Sequence, residues 1–181
     1  MPEVRSLKML FFKNLVFTVL VPGTVAVWVP YRLLGPSRAL ELRQVTGLRW
    51  LGLVPWVCGA ALYFWCVWSF ARVGRGTPAP IDPPRTLVGA GAYRYTRNPM
   101  YVAVLGMIFG EAALWGSMRL VLYGLAIWAA FHAFVVLYEE PTLRSLFGRD
   151  YERYLTTVPR WFPLAGHLKQ KGSPEKTERV D

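Results

Sequence analysis

Four stretches of this chain stay apolar for 18 to 22 residues at a time: residues 14–31, 50–71, 100–118 and 120–138. A hydrocarbon core is crossed by about 20 residues of α-helix. In lipid every backbone N–H and C=O must find its partner inside the structure, which a helix achieves within one segment. The runs therefore predict an all-α integral membrane bundle of about four transmembrane helices. Composition agrees, since 54% of residues are hydrophobic and only 18% charged, which argues against both a soluble domain and a disordered chain.

The formal charge of +10 raises nucleic acid as a partner, but the basic residues flank the apolar runs instead of lining one face, so no nucleic acid is expected. That flanking pattern encodes topology. Of 21 Lys and Arg, 16 lie before the first run, in the loop after the second, or beyond the fourth. Basic residues accumulate on the cytoplasmic side, so four spans would leave both termini in the cytoplasm. Pro22, Gly23 and Pro30 interrupt the first run, which predicts a kinked span. Residues 116–119 are so short a link that runs three and four must form an antiparallel C-terminal hairpin. Gly106 and Gly110, with Ala126 and Ala130, have the small-xxx-small spacing that lets backbones approach, and are expected to serve helix packing, within that hairpin or with a neighbour. Residues 1–165 read as one domain and 166–181 as a disordered polar tail.

Chemistry is expected where polar residues meet the spans. His132 and His167 are the only histidines, and Cys58 and Cys66 share one apolar run as packing residues, so no metal set is expected. No P-loop, dinucleotide fingerprint or nucleophile elbow occurs. Two regions stand out. One is the long loop 72–101, whose second half brings Tyr93, Arg94, Tyr95, Arg97, Asn98 and Tyr101 into the start of run three. Such donors suit an anionic or adenine-bearing ligand, or lipid phosphates. The other is Glu139 and Glu140 at the end of run four. Adjacent carboxylates gain nothing from anionic headgroups, so they read either as acceptors for ligand hydroxyls or an ammonium, or as partners of Arg94, Arg97 or Arg144. Glu111 is expected to be a snorkelling or bundle-facing structural carboxylate ahead of a catalytic one, and His132 a hydrogen-bonded core histidine ahead of a base.

Taken together, "GAYRYTRNPMY" (91–101), an apolar hairpin, "EEPTLRSLFGRDYERYL" (139–155) and "VPRWFP" (158–163) resemble the isoprenylcysteine carboxyl methyltransferase family and its phospholipid N-methyltransferase relatives, over roughly residues 87–163. The resemblance implies an S-adenosylmethionine site on the cytoplasmic side of the membrane, with an amphiphilic or lipidated methyl acceptor entering from the membrane lipids. It carries Tyr93, Arg97, Asn98, Pro99, Tyr101, Glu139 and Glu140 over as cofactor-binding residues, with Tyr151 and Tyr154 behind them. Arg97 is implied to hold the methionine carboxylate, and a Glu the ribose hydroxyls. Family members usually have His in place of Asn98, and the eukaryotic carboxyl methyltransferases have an arginine shortly before the Glu pair where this chain has Phe134 to Tyr138. If an amine acceptor must lose a proton, Tyr101, His132 and Glu139 are the candidate bases. Residues 142–155 place Leu143, Leu146, Phe147, Tyr151 and Tyr154 at helical spacing, predicting a cytoplasmic amphipathic helix over the site or on the bilayer. Two other classes compete: an NADPH-dependent membrane reductase of sterol-reductase type, whose acidic pattern the Glu pair does not match, and a non-catalytic membrane protein.

Overall fold

The computed structural model describes residues 16–35, 47–69, 87 and 89–161. The tail 166–181 and most of the loop 72–88 lie outside the described residues. Helix α1 spans Val16–Leu34 and α2 spans Gly47–Ser69; α3 is Pro99–Trp115, α4 is Met118–Phe134 and α5 is Glu140–Thr157. Among the described residues each apolar run is helical.

By length and apolar composition three helices can cross a membrane: α1, α2, and the 40-residue stretch Met118–Thr157 that joins α4 to α5 and is kinked at Gly148. Helix α3 is apolar but shorter, at 17 residues. It is also the most enclosed. Ala103, Val104, Met107 and Ile108 of α3 form a core with Ala26 of α1 and Tyr63 of α2. A helix apolar all round has no solvated face, so its stable place is among the others. Its neighbours instead turn large apolar side chains outward, among them Leu20, Phe64, Trp68, Leu122 and Leu137.

Two of the proline-bearing helices, α1 and α5, have a π-helical turn shortly before the proline. In α1 the turn Thr24–Trp28 is π-helical. Pro30 has no N–H to return to the Val25 carbonyl in that register, and Tyr123 of α4 supplies the missing donor, its hydroxyl lying 2.9 Å from Val25 O. Run four does not stop at the Glu pair, as the separate amphipathic helix implied. A π-helical turn, Val135–Glu139, carries it into α5. The wider turn accommodates Pro141, and Thr142 Oγ1 donates to the Tyr138 carbonyl at 2.7 Å. The direction change comes later, at Gly148 (φ 49°, ψ −122°).

Helices α3 and α4 form the expected hairpin. Gly116 (φ 60°) ends α3 in the left-handed region, and the Ser117 side chain accepts from Leu120 N at the start of α4. The small-residue stripe, however, serves a different pair. A Cβ on Gly110 would lie 2.7 Å from Gly52 O, one on Gly59 2.6 Å from Ala103 O, and one on Gly106 3.3 Å from Pro55 O. Gly106 and Gly110 thus bring α3 against α2, while Ala126 and Ala130 are exposed. Close packing of the hairpin uses Gly124, whose missing side chain makes room for the Phe109 ring. Small-residue spacing permits close approach without naming the partner. Trp56 Nε1 donates to Glu111 Oε1 at 3.1 Å, so of the two structural readings of Glu111 the bundle-facing one holds.

Candidate active site

The polar cluster forms where three segments converge: the 3₁₀ turn Gly91–Arg94 with the residues entering α3, the junction of α4 with α5, and residues 158–161 after α5. Pro99 begins α3, where its missing N–H costs nothing and its fixed φ favours helix. This start orients the preceding residues. Asn98 is the N-cap, yet its side chain makes no capping bond; Nδ2 donates instead to the Arg160 carbonyl at 2.9 Å. Thr96 Oγ1 donates to the same carbonyl at 3.0 Å, and Arg97 N–H to the Pro159 carbonyl at 2.9 Å.

Glu140 is the most committed group. Its side chain is 6% exposed, and Arg160 grips it with two parallel bonds, Nε to Oε1 at 2.8 Å and Nη2 to Oε2 at 3.0 Å. Arg97 Nη1 donates to Oε1 at 3.0 Å. This is the charge-assisted fork geometry that makes Arg–carboxylate pairs strong. Hydrogen bonding to Glu140 raises the Arg160 pKa above its usual value, ahead of the opposing effect of partial burial. Of the two sequence readings of the Glu pair, Glu140 realises the paired one, with Arg97 but not with Arg94 or Arg144. Arg144 bonds Glu152 on the exposed face of α5.

Glu139 is placed differently. Its Oε2 accepts the Tyr101 hydroxyl at 2.8 Å, which leaves Oε1 as the open acceptor. Beside it the aromatic residues are structural as well as polar. Tyr101 packs on Phe131, ring centroids 4.7 Å apart. Tyr93 and Tyr151 are buried, and Tyr154 donates its hydroxyl to the Tyr93 carbonyl at 2.7 Å, fastening α5 to the 3₁₀ turn. Burial pushes the Tyr93 phenol well above its ordinary pKa, so it stays neutral.

Among the described residues one buried side-chain donor has no partner: Arg97 Nε. Buried donors are nearly always satisfied, so an orphan at the centre of a cluster asks for an acceptor. Arg97 is thus bonded to Glu140 through Nη1 and has the Tyr151 hydroxyl beside it, while Nε has no partner. His132 stands outside this cluster. Its Nδ1 accepts from Trp161 Nε1 at 3.1 Å, and its ring neighbours those of Trp128 and Trp161. A ring accepting at Nδ1 carries its proton on Nε2. No group of His, Cys, Asp and Glu that could hold a metal occurs among the described residues.

Of the residues singled out from sequence, Tyr93, Arg97, Asn98, Pro99, Tyr101, Glu139, Glu140, Tyr151 and Tyr154 come together, and His132 does not join them. Sequence reasoning missed Arg160. It stands in the quoted "VPRWFP" segment, but there it counted only as one more basic residue beyond run four.

Two comparisons bear on this constellation. The profile of the phospholipid methyltransferase family matches residues 48–150, which takes in α2 through the first half of α5 and begins well before the motif-bearing stretch. Two rice proteins, from the indica and japonica subspecies and each named "Probable protein-S-isoprenylcysteine O-methyltransferase", are 30% identical over 129 residues. That alignment covers 68% of this chain and 65% of the length of each rice protein. With more than half of its length matched by the family profile, the chain belongs to the phospholipid methyltransferase family.

Proposed function

We propose that this chain is a membrane-embedded S-adenosylmethionine-dependent methyltransferase acting on a lipid-soluble or lipidated acceptor. The observation that carries the reading is Arg97, charged and with a buried, unfilled Nε, next to one committed and one open carboxylate. That donor set fits a ligand that bears a carboxylate at one end and hydroxyls or a positive charge at another, as this methyl donor does. The fourfold reading of the membrane unit belongs to the same proposal. Helix α3 crosses with α1, α2 and α4, both termini and the Arg97 cluster face the cytoplasm, and the part of α5 beyond Gly148 lies along the membrane surface over the site. Residues 1–165 form the single domain.

When bound, S-adenosylmethionine supplies a methyl group already activated on a sulfonium. The protein's work is then to bind, orient and exclude water. Arg97 offers Nε and its remaining N–H groups to the donor's carboxylate. Glu139, held by Tyr101 at Oε2, offers Oε1 to a ribose hydroxyl or an ammonium. Tyr93, Tyr151 and Tyr154 close the side facing the cytoplasm and lower the local dielectric, which strengthens these contacts. The outward-turned apolar side chains of α1, α2 and α4 leave a lipid-soluble acceptor free to approach within the bilayer.

The acceptor divides the reading. A carboxylate acceptor, as in isoprenylcysteine O-methylation, is already ionised and needs no base. An amine acceptor, as in phosphatidylethanolamine-type N-methylation, must first lose a proton, and Glu139 Oε1 is the group positioned to receive it. The O-methylation reading rests on the rice relatives and is the one favoured; the N-methylation alternative rests on the family profile. The test is transfer of radiolabelled methyl from S-adenosylmethionine by the detergent-purified protein, offered a prenylcysteine analogue and phosphatidylethanolamine in parallel. Label in the prenylcysteine product supports the first form and label in the lipid the second. Label in neither, with NADPH consumption on an unsaturated sterol, would transfer the chain to the reductase class.

A further inference from the structure

The segment after α5 does more than end the helix. Residues 96–98, which deliver Arg97 to the site, are tied to it three times: Thr96 and Asn98 donate to the Arg160 carbonyl, and the Arg97 N–H donates to the Pro159 carbonyl. Backbone fixed in this way sends the Arg160 side chain onto Glu140. There it takes both carboxylate oxygens, Oε1 at 2.8 Å and Oε2 at 3.0 Å. Arg97 is left with one bond to Oε1, through Nη1.

A carboxylate beside two arginines can present its two-oxygen edge to only one of them. If Arg160 did not hold that edge, Arg97 would be free to turn its own fork onto Glu140 and consume Nε in the ion pair. The unfilled Nε of Arg97 is therefore a consequence of Arg160's grip. Resting on the methyltransferase reading, the geometry points to Arg160 as a positioning residue: by saturating Glu140 it keeps Arg97 single-bonded there and open to the carboxylate of the methyl donor. Lysine cannot take this part. Its ammonium is a point charge without a planar fork, so it preserves the local charge but not the two-oxygen grip.

The test measures calorimetric binding of two ligands to the detergent-purified full chain. S-adenosylhomocysteine carries the amino-acid carboxylate, and 5′-methylthioadenosine lacks it. Arg160→Lys is expected to weaken S-adenosylhomocysteine about tenfold, the scale of one charge-assisted hydrogen bond, while leaving 5′-methylthioadenosine unchanged. Arg160→Gln should weaken S-adenosylhomocysteine at least as much, with the same indifference in the second ligand. In an Arg97→Met background, Arg160→Lys should cost no further affinity, since the two residues act in series. Equal loss of both ligands would mark Arg160 as merely structural, and no loss of either would make it irrelevant; both overturn the inference. Failure of the wild-type protein to bind S-adenosylhomocysteine would instead sink the methyltransferase reading, and the role of Arg160 with it.

Discussion

Replacing Glu140 by Gln removes one charge and almost no volume, so its effect isolates the electrostatics of the cluster. Three charge-assisted bonds end on this carboxylate, two from Arg160 and one from Arg97. The Gln amide keeps one acceptor oxygen but leaves two guanidiniums facing a neutral group. Removing one partner of a buried ion pair costs about 3–5 kcal/mol, whereas exposed pairs are worth only about 0–1 kcal/mol. The Arg97 side chain is 12% exposed and that of Arg160 33%, so Arg97 bears most of the loss and the low end of the buried range, about 3 kcal/mol, is the appropriate figure. For a chain of this size each kcal/mol moves the melting temperature by about 2–4 °C, which predicts a fall of roughly 6–12 °C. Thermal unfolding in detergent, followed by tryptophan fluorescence, reads it directly. Glu139→Gln is the control, because Glu139 receives a single hydrogen bond, from Tyr101, and its loss should be clearly smaller. A Glu140→Gln shift under about 2 °C, or one smaller than that of Glu139→Gln, would refute the division of labour between the two carboxylates.

Other substitutions probe the frame. Gly110→Val forces side-chain atoms onto the α2 backbone at Gly52 and Trp56 and should cost about 1–3 kcal/mol or more in detergent unfolding, while Ala130→Val, on an exposed face, should be silent. Trp161→Phe deletes the donor to His132 Nδ1 and should cost about 1 kcal/mol of stability without changing S-adenosylhomocysteine affinity. His132→Gln should likewise leave that affinity intact, because the ring lies outside the Arg97 cluster. For topology, an alkaline phosphatase fusion at Ser117 should be active in a bacterial host and one at the C-terminus inactive; the reverse pattern would invert the orientation drawn from the basic residues.

Much of the fold was readable because lipid imposes a simple rule: a long apolar run must be helical. Runs at 14–31, 50–71, 100–118 and 120–138 became α1 to α4, and Gly116 with Ser117 turned the hairpin as expected. What the sequence hid were relations between segments. Gly106 and Gly110 announced close packing, but spacing carries no address, and they met α2 and not α4. Run four and the amphipathic helix at 142–155 read as separate elements, yet a π-helical turn joins them past Pro141, since one extra residue in a turn leaves no compositional mark. The site was legible where residue type was unusual for its setting: adjacent acids at a span's end, and Arg97 and Asn98 at a span's start. Arg160 was illegible for the opposite reason. An arginine in a basic segment looks like topology, and only the fold shows that its backbone is anchored to residues 96–98 and its side chain to Glu140.

The central claim is that the Arg97 cluster receives S-adenosylmethionine. Calorimetric titration of the wild-type protein with S-adenosylhomocysteine and, separately, with NADPH tests it most directly. The account predicts micromolar binding of S-adenosylhomocysteine alone, strongly weakened in Arg97→Met. Binding of NADPH alone, or S-adenosylhomocysteine binding that survives Arg97→Met unchanged, would contradict it.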